Sequence, residues 1–193
     1  MRGSAAVAIA EEPADGPPAT SGTTSGRVHA LVTAHFSFVW RSLVRLGVPR
    51  ADAEDALQQV FIVAANRVDD IEAGRERAFL FGTAMRIASR ARRTQQRRQE
   101  VLDAEPAERI HPQLGADDLL DRARARAELD AILDGMPLDL RAVFVLFELE
   151  QTTMAEIASL LDLPPGTVAS RLRRARDHFQ AAARRLAAKG GHR

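Results

Sequence analysis

The chain has 193 residues, a hydrophobic fraction of 46% and a formal net charge of +1, enough apolar side chain for one domain or two small ones with packed cores. It has no cysteine, which excludes disulfides and thiolate zinc sites and fits a reducing compartment. No apolar run approaches the ~20 residues that span a bilayer, and the short apolar patch in MRGSAAVAIAEEPADG is broken at once by Glu11 and Glu12, a poor secretory signal. A soluble, cytoplasmic protein without membrane insertion is expected.

In chain order, residues 1–26 are rich in Ala, Pro, Gly, Ser and Thr without an apolar period, the composition of a disordered tail. A first helix is predicted over 28–46, stopping near Gly47 and Pro49. The stretch DAEDALQQVFIVAANRV, 52–68, predicts a second helix, with Ala53, Leu57, Val60, Phe61, Ala64 and Val68 on one stripe and acids in its first turn. A third holds FLFGTAMRIASRARRTQQRR, 79–98. Residues 99–116 contain prolines, a glycine and several acids, a linker composition. Helices are then predicted over 117–134, 138–150, 153–161 and 165–186, with a short tail at 189–193. No alternating strand pattern persists. The fold class expected is all-α, with two small helical domains, 27–98 and 117–188, joined by a flexible acidic linker.

The near-neutral charge conceals segregation. Arginines gather in 86–98 and 171–185, while acids dominate 100–121. Segregation of this kind points to a polyanionic partner.

On a helical wheel of the third helix, Leu80, Phe81, Ala84, Ala88 and Ala91 share one side. Arg86, Arg90, Arg93 and Arg97 form a stripe on the opposite side, and no acid occurs between positions 79 and 98. A solvated helix face normally mixes signs, because like charges four residues apart repel. A phosphate backbone would relieve that repulsion, so this face is a candidate nucleic-acid surface.

The segment TTMAEIASLLDLPPGTVASRLRRARDHF predicts helix, tight turn, helix. Thr153 and Glu156 form a capping box, and Pro165 suits the first turn of the following helix. In that helix Val168, Leu172, Ala175, Phe179, Ala182 and Leu186 make one seam, while Thr167, Ser170, Arg171 and Arg174 point away from it. A helix-turn-helix needs this pattern: a buried seam, and short polar and arginine side chains reaching base edges from the helix start. Arginine can bind guanine O6 and N7 bidentately, which confers specificity.

Together the two units resemble bacterial sigma factors of the extracytoplasmic-function (ECF) family over about 28–186. DAEDALQQVF, 52–61, is similar to the family's polymerase-binding signature. FLFGTAMRIASRARRTQQRR is similar to its promoter-melting segment, and RAVFVL, EIASLL and GTVASRLRRAR to its downstream signature, in order and at family spacing. The resemblance implies a region 2-like domain that engages core RNA polymerase and the −10 element, and a region 4-like domain that reads the −35 element. It implies Asp55, Gln58, Gln59 and Ile62 as core-polymerase contacts, Arg86, Arg90, Arg93 and Arg97 as −10 strand contacts, and Thr167, Ser170, Arg171, Arg173 and Arg174 as −35 contacts. The partners implied are core polymerase through its β′ clamp and β flap, promoter DNA, and an anti-sigma factor. No cofactor is implied. The linker would thread toward the polymerase active-site cleft or serve as a passive tether.

The chain departs from the family pattern at four places. Phe79 stands where tryptophan is frequent, Gln59 where glutamate is usual, Ala169 where lysine is frequent, and Pro164 where a capping serine or threonine is common. The last two bear on promoter preference rather than promoter binding.

An enzyme is not expected. The five histidines have no metal-ligand spacing with carboxylates, and no glycine-rich phosphate loop or nucleophile elbow occurs. The competing reading is a self-sufficient helix-turn-helix regulator of the response-regulator output type, which would lack the DAEDALQQVF helix and the melting segment. A helical adaptor would leave both arginine faces unexplained.

Overall fold

The computed structural model describes residues 20–102 and 117–190, all of it helices and the turns between them. α1 spans Thr20–Arg45, α2 Ala53–Ala65 and α3 Glu76–Leu102. α1 buries Leu31, Phe38, Val39 and Leu43. It ends in a Schellman motif, with Gly47 N–H donating to the Val44 carbonyl (3.1 Å) and Val48 N–H to that of Leu43 (3.1 Å). Gly47 has φ +103° there, a conformation that glycine reaches without the Cβ clash. A single 3₁₀ turn, Arg50–Asp52, leads into α2, which carries Glu54 and Asp55 in its first turn, against the positive end of the helix dipole. α2 buries Ala53, Ala56, Leu57, Val60 and Ala64. α3 buries Leu80, Phe81, Ala84 and Ala88 against it and α1, with the Phe38 and Phe81 rings 6.0 Å apart.

In the second unit α4 spans Asp117–Asp134, α5 Leu138–Phe144, α6 Met154–Leu161 and α7 Pro165–Gly190. Between α5 and α6, Val145–Leu149 winds as a π-helix. The chain then passes Gln151 with φ 53°, a left-handed residue that needs support from its surroundings. Leu133, Met136, Leu140, Phe144 and Ala175 form the core there, and the Phe144 and Phe179 rings stack at 5.1 Å. The capping box at α6 is present, with Thr153 N–H donating to Glu156 Oε2 (2.8 Å) and Glu156 N–H to Thr153 Oγ1 (3.3 Å).

Two expectations change. α1 reaches back to Thr20, inside the segment 1–26 assigned to a disordered tail; residues 1–19 lie outside the described residues. Arg27 ties this part of α1 down, donating Nη2 to the Ile71 carbonyl at 3.0 Å. α3 runs to Leu102, four residues into the segment assigned to the linker, whose remainder, 103–116, lies outside the described residues, as does 191–193. How the two units sit against each other was left open by the sequence, and the structure packs them together. One apolar cluster joins Val39, Leu43, Leu46, Phe81 and Ala84 to Ala142, Val143, Leu146, Ile157 and Val168. Apolar stripes on amphipathic helices can be satisfied by any complementary apolar face, and here part of the second unit's stripe is covered by the first.

Candidate nucleic-acid interface

α3 places Arg86, Arg90, Arg93 and Arg97 in solvent, opposite the buried Phe81, Ala84 and Ala88. Helical spacing of three and four residues is what aligns them. Arg86 donates Nη2 to Thr83 Oγ1 (2.9 Å), and Thr83 Oγ1 in turn donates to the Phe79 carbonyl (2.9 Å). None of the ion pairs among the described residues includes any of the four. The stripe therefore presents its positive charge outward.

Arg92 sits in the same arginine run but points elsewhere. Its Nη2 donates to the carbonyls of Asp134 (3.1 Å) and Met136 (3.2 Å) at the end of α4. Sequence reading missed this role. The wheel does set Arg92 off the outward stripe, but nothing local says what it meets.

In α7 the seam of Val168, Leu172, Ala175 and Ala182 is buried, with Phe179 and Leu186 half-buried. The helix begins at Pro165, and the Pro164 carbonyl accepts from the N–H groups of Thr167 (2.9 Å) and Val168 (3.1 Å). That carbonyl does the work of the missing capping side chain. Arg173 and Arg174 are exposed; Thr167 and Ser170 are half-buried, with Ser170 Oγ donating to the Thr167 carbonyl at 3.0 Å. Arg171 is not simply outward: its side chain is 26% exposed and its Nε lies 3.6 Å from Asp139 Oδ2 of α5.

A third surface lies on α2. Asp55, Gln58, Gln59 and Ile62 are exposed along one face, with Ile62 at 51%. Beside it an open groove between α1 and α2 is floored by Val32, Phe36, Trp40, Leu57 and Phe61, and Phe36 is 49% exposed. Phe36 and Trp40 were not singled out from sequence. The available signal was the i, i+4, i+8 row Val32–Phe36–Trp40, a second apolar row on α1 beyond the one its core needs.

The described residues thus present an arginine stripe without an ion pair on one helix, a capped helix-turn-helix with polar and basic groups at the start of its second helix, and an exposed acid-amide face, the kinds of surface that suit a polyanion and a protein partner. Comparison with known proteins bears on the family. Residues 31–98 match the family model "Sigma-70 region 2" and residues 126–179 match "Sigma-70, region 4". The chain is 32% identical over 155 residues to the ECF RNA polymerase sigma factor SigE of Mycolicibacterium smegmatis, a match that covers 78% of this chain and 59% of that relative. It shares its fold with the solved structure of CnrH in complex with the cytosolic domain of CnrY, at TM-score 0.60 and 23% identity over 83% of this chain and 92% of that one. The sigma factor RpoE in complex with the anti-sigma factor NepR, from Bartonella quintana, gives TM-score 0.54 and 21% identity over 84% and 97%. The chain belongs to the ECF family of RNA polymerase sigma factors.

Proposed function

We propose that this chain binds core RNA polymerase in the cytoplasm and directs promoter recognition, DNA melting and initiation at a specific set of genes. The observation that carries the reading is the outward stripe of Arg86, Arg90, Arg93 and Arg97 on one unit, paired with the reading face of α7 on the other. The stripe follows the phosphates of the melted −10 strand, and the loop before α3 offers a place for an unstacked base. Thr167, Ser170, Arg171, Arg173 and Arg174 read the −35 element.

Asp55, Gln58, Gln59 and Ile62, with the groove beside them, take the polymerase β′ clamp, and the second unit takes the β flap. Gln59 in place of glutamate leaves that docking face one negative charge weaker. An anti-sigma factor is the third partner, by analogy with the NepR complex. The regulator of response-regulator output type is the less favoured reading, since it has no use for the α2 face.

Transcription reconstituted with core polymerase on genomic DNA, with start sites mapped, tests the proposal. Discrete start sites that depend on the added chain support it. Tight duplex binding by the chain alone, with no polymerase-dependent initiation, would return the self-sufficient regulator.

A further inference from the structure

Several arginines of this chain hold separate elements together. Arg41 of α1 donates Nε and Nη2 to the two oxygens of Glu150 at 2.9 and 2.7 Å, and Arg45 donates Nη1 to the same carboxylate at 2.5 Å. Arg141 of α5 donates Nε to the Arg45 carbonyl at the end of α1. Arg86 does nothing of the kind. Its side-chain partner is Thr83, one turn back on the same helix, and that partner carries no charge. The contact neutralises nothing and ties no second element to α3.

Thr83 is 3% exposed, in a stretch whose other buried residues are Leu80, Phe81 and Ala84. Valine has nearly the same shape and would fill such a position without a polar atom, whereas a hydroxyl taken out of water needs partners. The hydroxyl brings one proton and two lone pairs. Its proton goes to the Phe79 carbonyl at 2.9 Å, the backward bond that threonine makes inside helices. That bond sets the rotamer, and a remaining lone pair accepts from Arg86 Nη2 at 2.9 Å. A backward bond of this type does nothing for the helix itself. The use of the hydroxyl is the arginine it holds.

An exposed arginine has more rotamer freedom than most side chains, and a ligand that binds it must freeze that freedom. Among the described residues Arg90, Arg93 and Arg97 make no side-chain hydrogen bond, so Arg86 is the held member of the stripe. It is also the stripe's first arginine after α3 begins at Glu76, about 15 Å along the axis. Thr83 takes one of the five guanidinium N–H groups, which leaves a fork of donors for a phosphate.

We propose that Thr83 is a positioning residue for strand capture: its hydroxyl pre-sets the Arg86 guanidinium, so that this arginine meets a strand phosphate already ordered. The inference rests on the strand-capturing role proposed for α3. Arg90, Arg93 and Arg97 supply charge, and Arg86 supplies charge with a direction.

Two measurements test it. In the free chain, nitrogen NMR relaxation should show the Arg86 Nε–H more ordered than that of Arg90, and Thr83→Val should erase the difference. The second measurement uses holoenzyme assembled from the full chain and core polymerase, binding a fork-junction promoter DNA. Thr83→Val should weaken that binding about fivefold, the range of one hydrogen bond, at an unchanged log–log salt slope because the charge stays. Thr83→Ser, which keeps the hydroxyl, should restore wild-type affinity. In an Arg86→Ala background Thr83→Val should change affinity by less than about twofold, since the hydroxyl acts through Arg86. Wild-type affinity in Thr83→Val, an equal loss in the Arg86→Ala background, or an Arg86 Nε as mobile as that of Arg90 would each overturn the positioning role and leave the strand site standing. Wild-type affinity in Arg86→Ala would instead remove Arg86 from strand capture, and the role of Thr83 with it.

Discussion

Arg171 of α7 lies 3.6 Å from Asp139 of α5, Nε to Oδ2, so the central arginine of the proposed reading face is already paired inside its own unit. To reach a base it must leave a half-exposed carboxylate, an exchange worth under about 1 kcal/mol. Arg171→Ala and Arg174→Ala should each weaken −35-dependent initiation by about 1–3 kcal/mol if a bidentate guanine contact is lost. Asp139→Asn should strengthen it slightly, and Arg184→Ala, far along the helix, should change little. Equal losses at positions 171, 174 and 184 would mean that general charge, not base reading, dominates. The measurement is transcription from promoters with intact and scrambled −35 elements.

The α2 face makes a separate prediction. Asp55 is exposed and outside the core, so Asp55→Arg should leave helicity intact and lower stability only by the reversed helix-dipole interaction in the first turn, under about 2 kcal/mol. It should weaken capture of core polymerase in a pull-down. Undiminished capture would remove this face from the docking surface.

The arginine stripe should reveal itself through salt. Arg86→Gln/Arg90→Gln leaves the buried Phe81 and Ala88 in place, so folding and polymerase docking should survive. Holoenzyme binding to a fork-junction promoter DNA should weaken, and its log–log salt dependence should flatten by up to ~0.7 per lost single-strand phosphate contact. An unchanged slope at unchanged affinity would leave the stripe a solvated face.

The capping box offers a stability test that does not involve DNA. Hydrogen bonds with Thr153 hold the Glu156 carboxyl below its usual range. Thr153→Ala removes the side chain that accepts from the Glu156 N–H, and should cost about 1 kcal/mol in denaturant unfolding. A cost near zero would mean that α6 owes its start to packing on α3 alone.

Asp130 predicts a pH signature. Burial raises its pKa, and Asp134 adds to the rise, against the opposing pull of Arg50, Arg141 and Arg126. A raised carboxyl favours the folded chain while protonated, and that contribution is lost as pH climbs through the folded-state value. Asp130→Asn should therefore melt higher than the wild type at neutral pH. Its advantage should shrink as pH falls through the raised folded-state value toward the ordinary carboxylate value, about pH 4, and change no further below it. Thermal melts of both proteins across that window check the sign; an offset constant with pH would refute it.

Much of this protein is written locally. Helical periodicity sorts Val168, Leu172 and Ala175 from Arg173 and Arg174, and Phe81 and Ala88 from Arg86 and Arg90, because side chains three and four apart share a face whatever surrounds them. The Thr153–Glu156 cap and the start of α7 at Pro165 follow from neighbours within a few residues. The tertiary structure alone decided what covers each face. Arg41 and Glu150 are 109 positions apart, and Arg141 and Arg45 are 96 apart; no local period links such pairs. An arginine carries a long apolar stem beneath its charge, so sequence alone cannot separate one left in solvent, like Arg90, from one laid across a domain joint, like Arg92. Where each guanidinium finds its acceptors is a property of the folded chain, and that separated the open stripe from the closed joint.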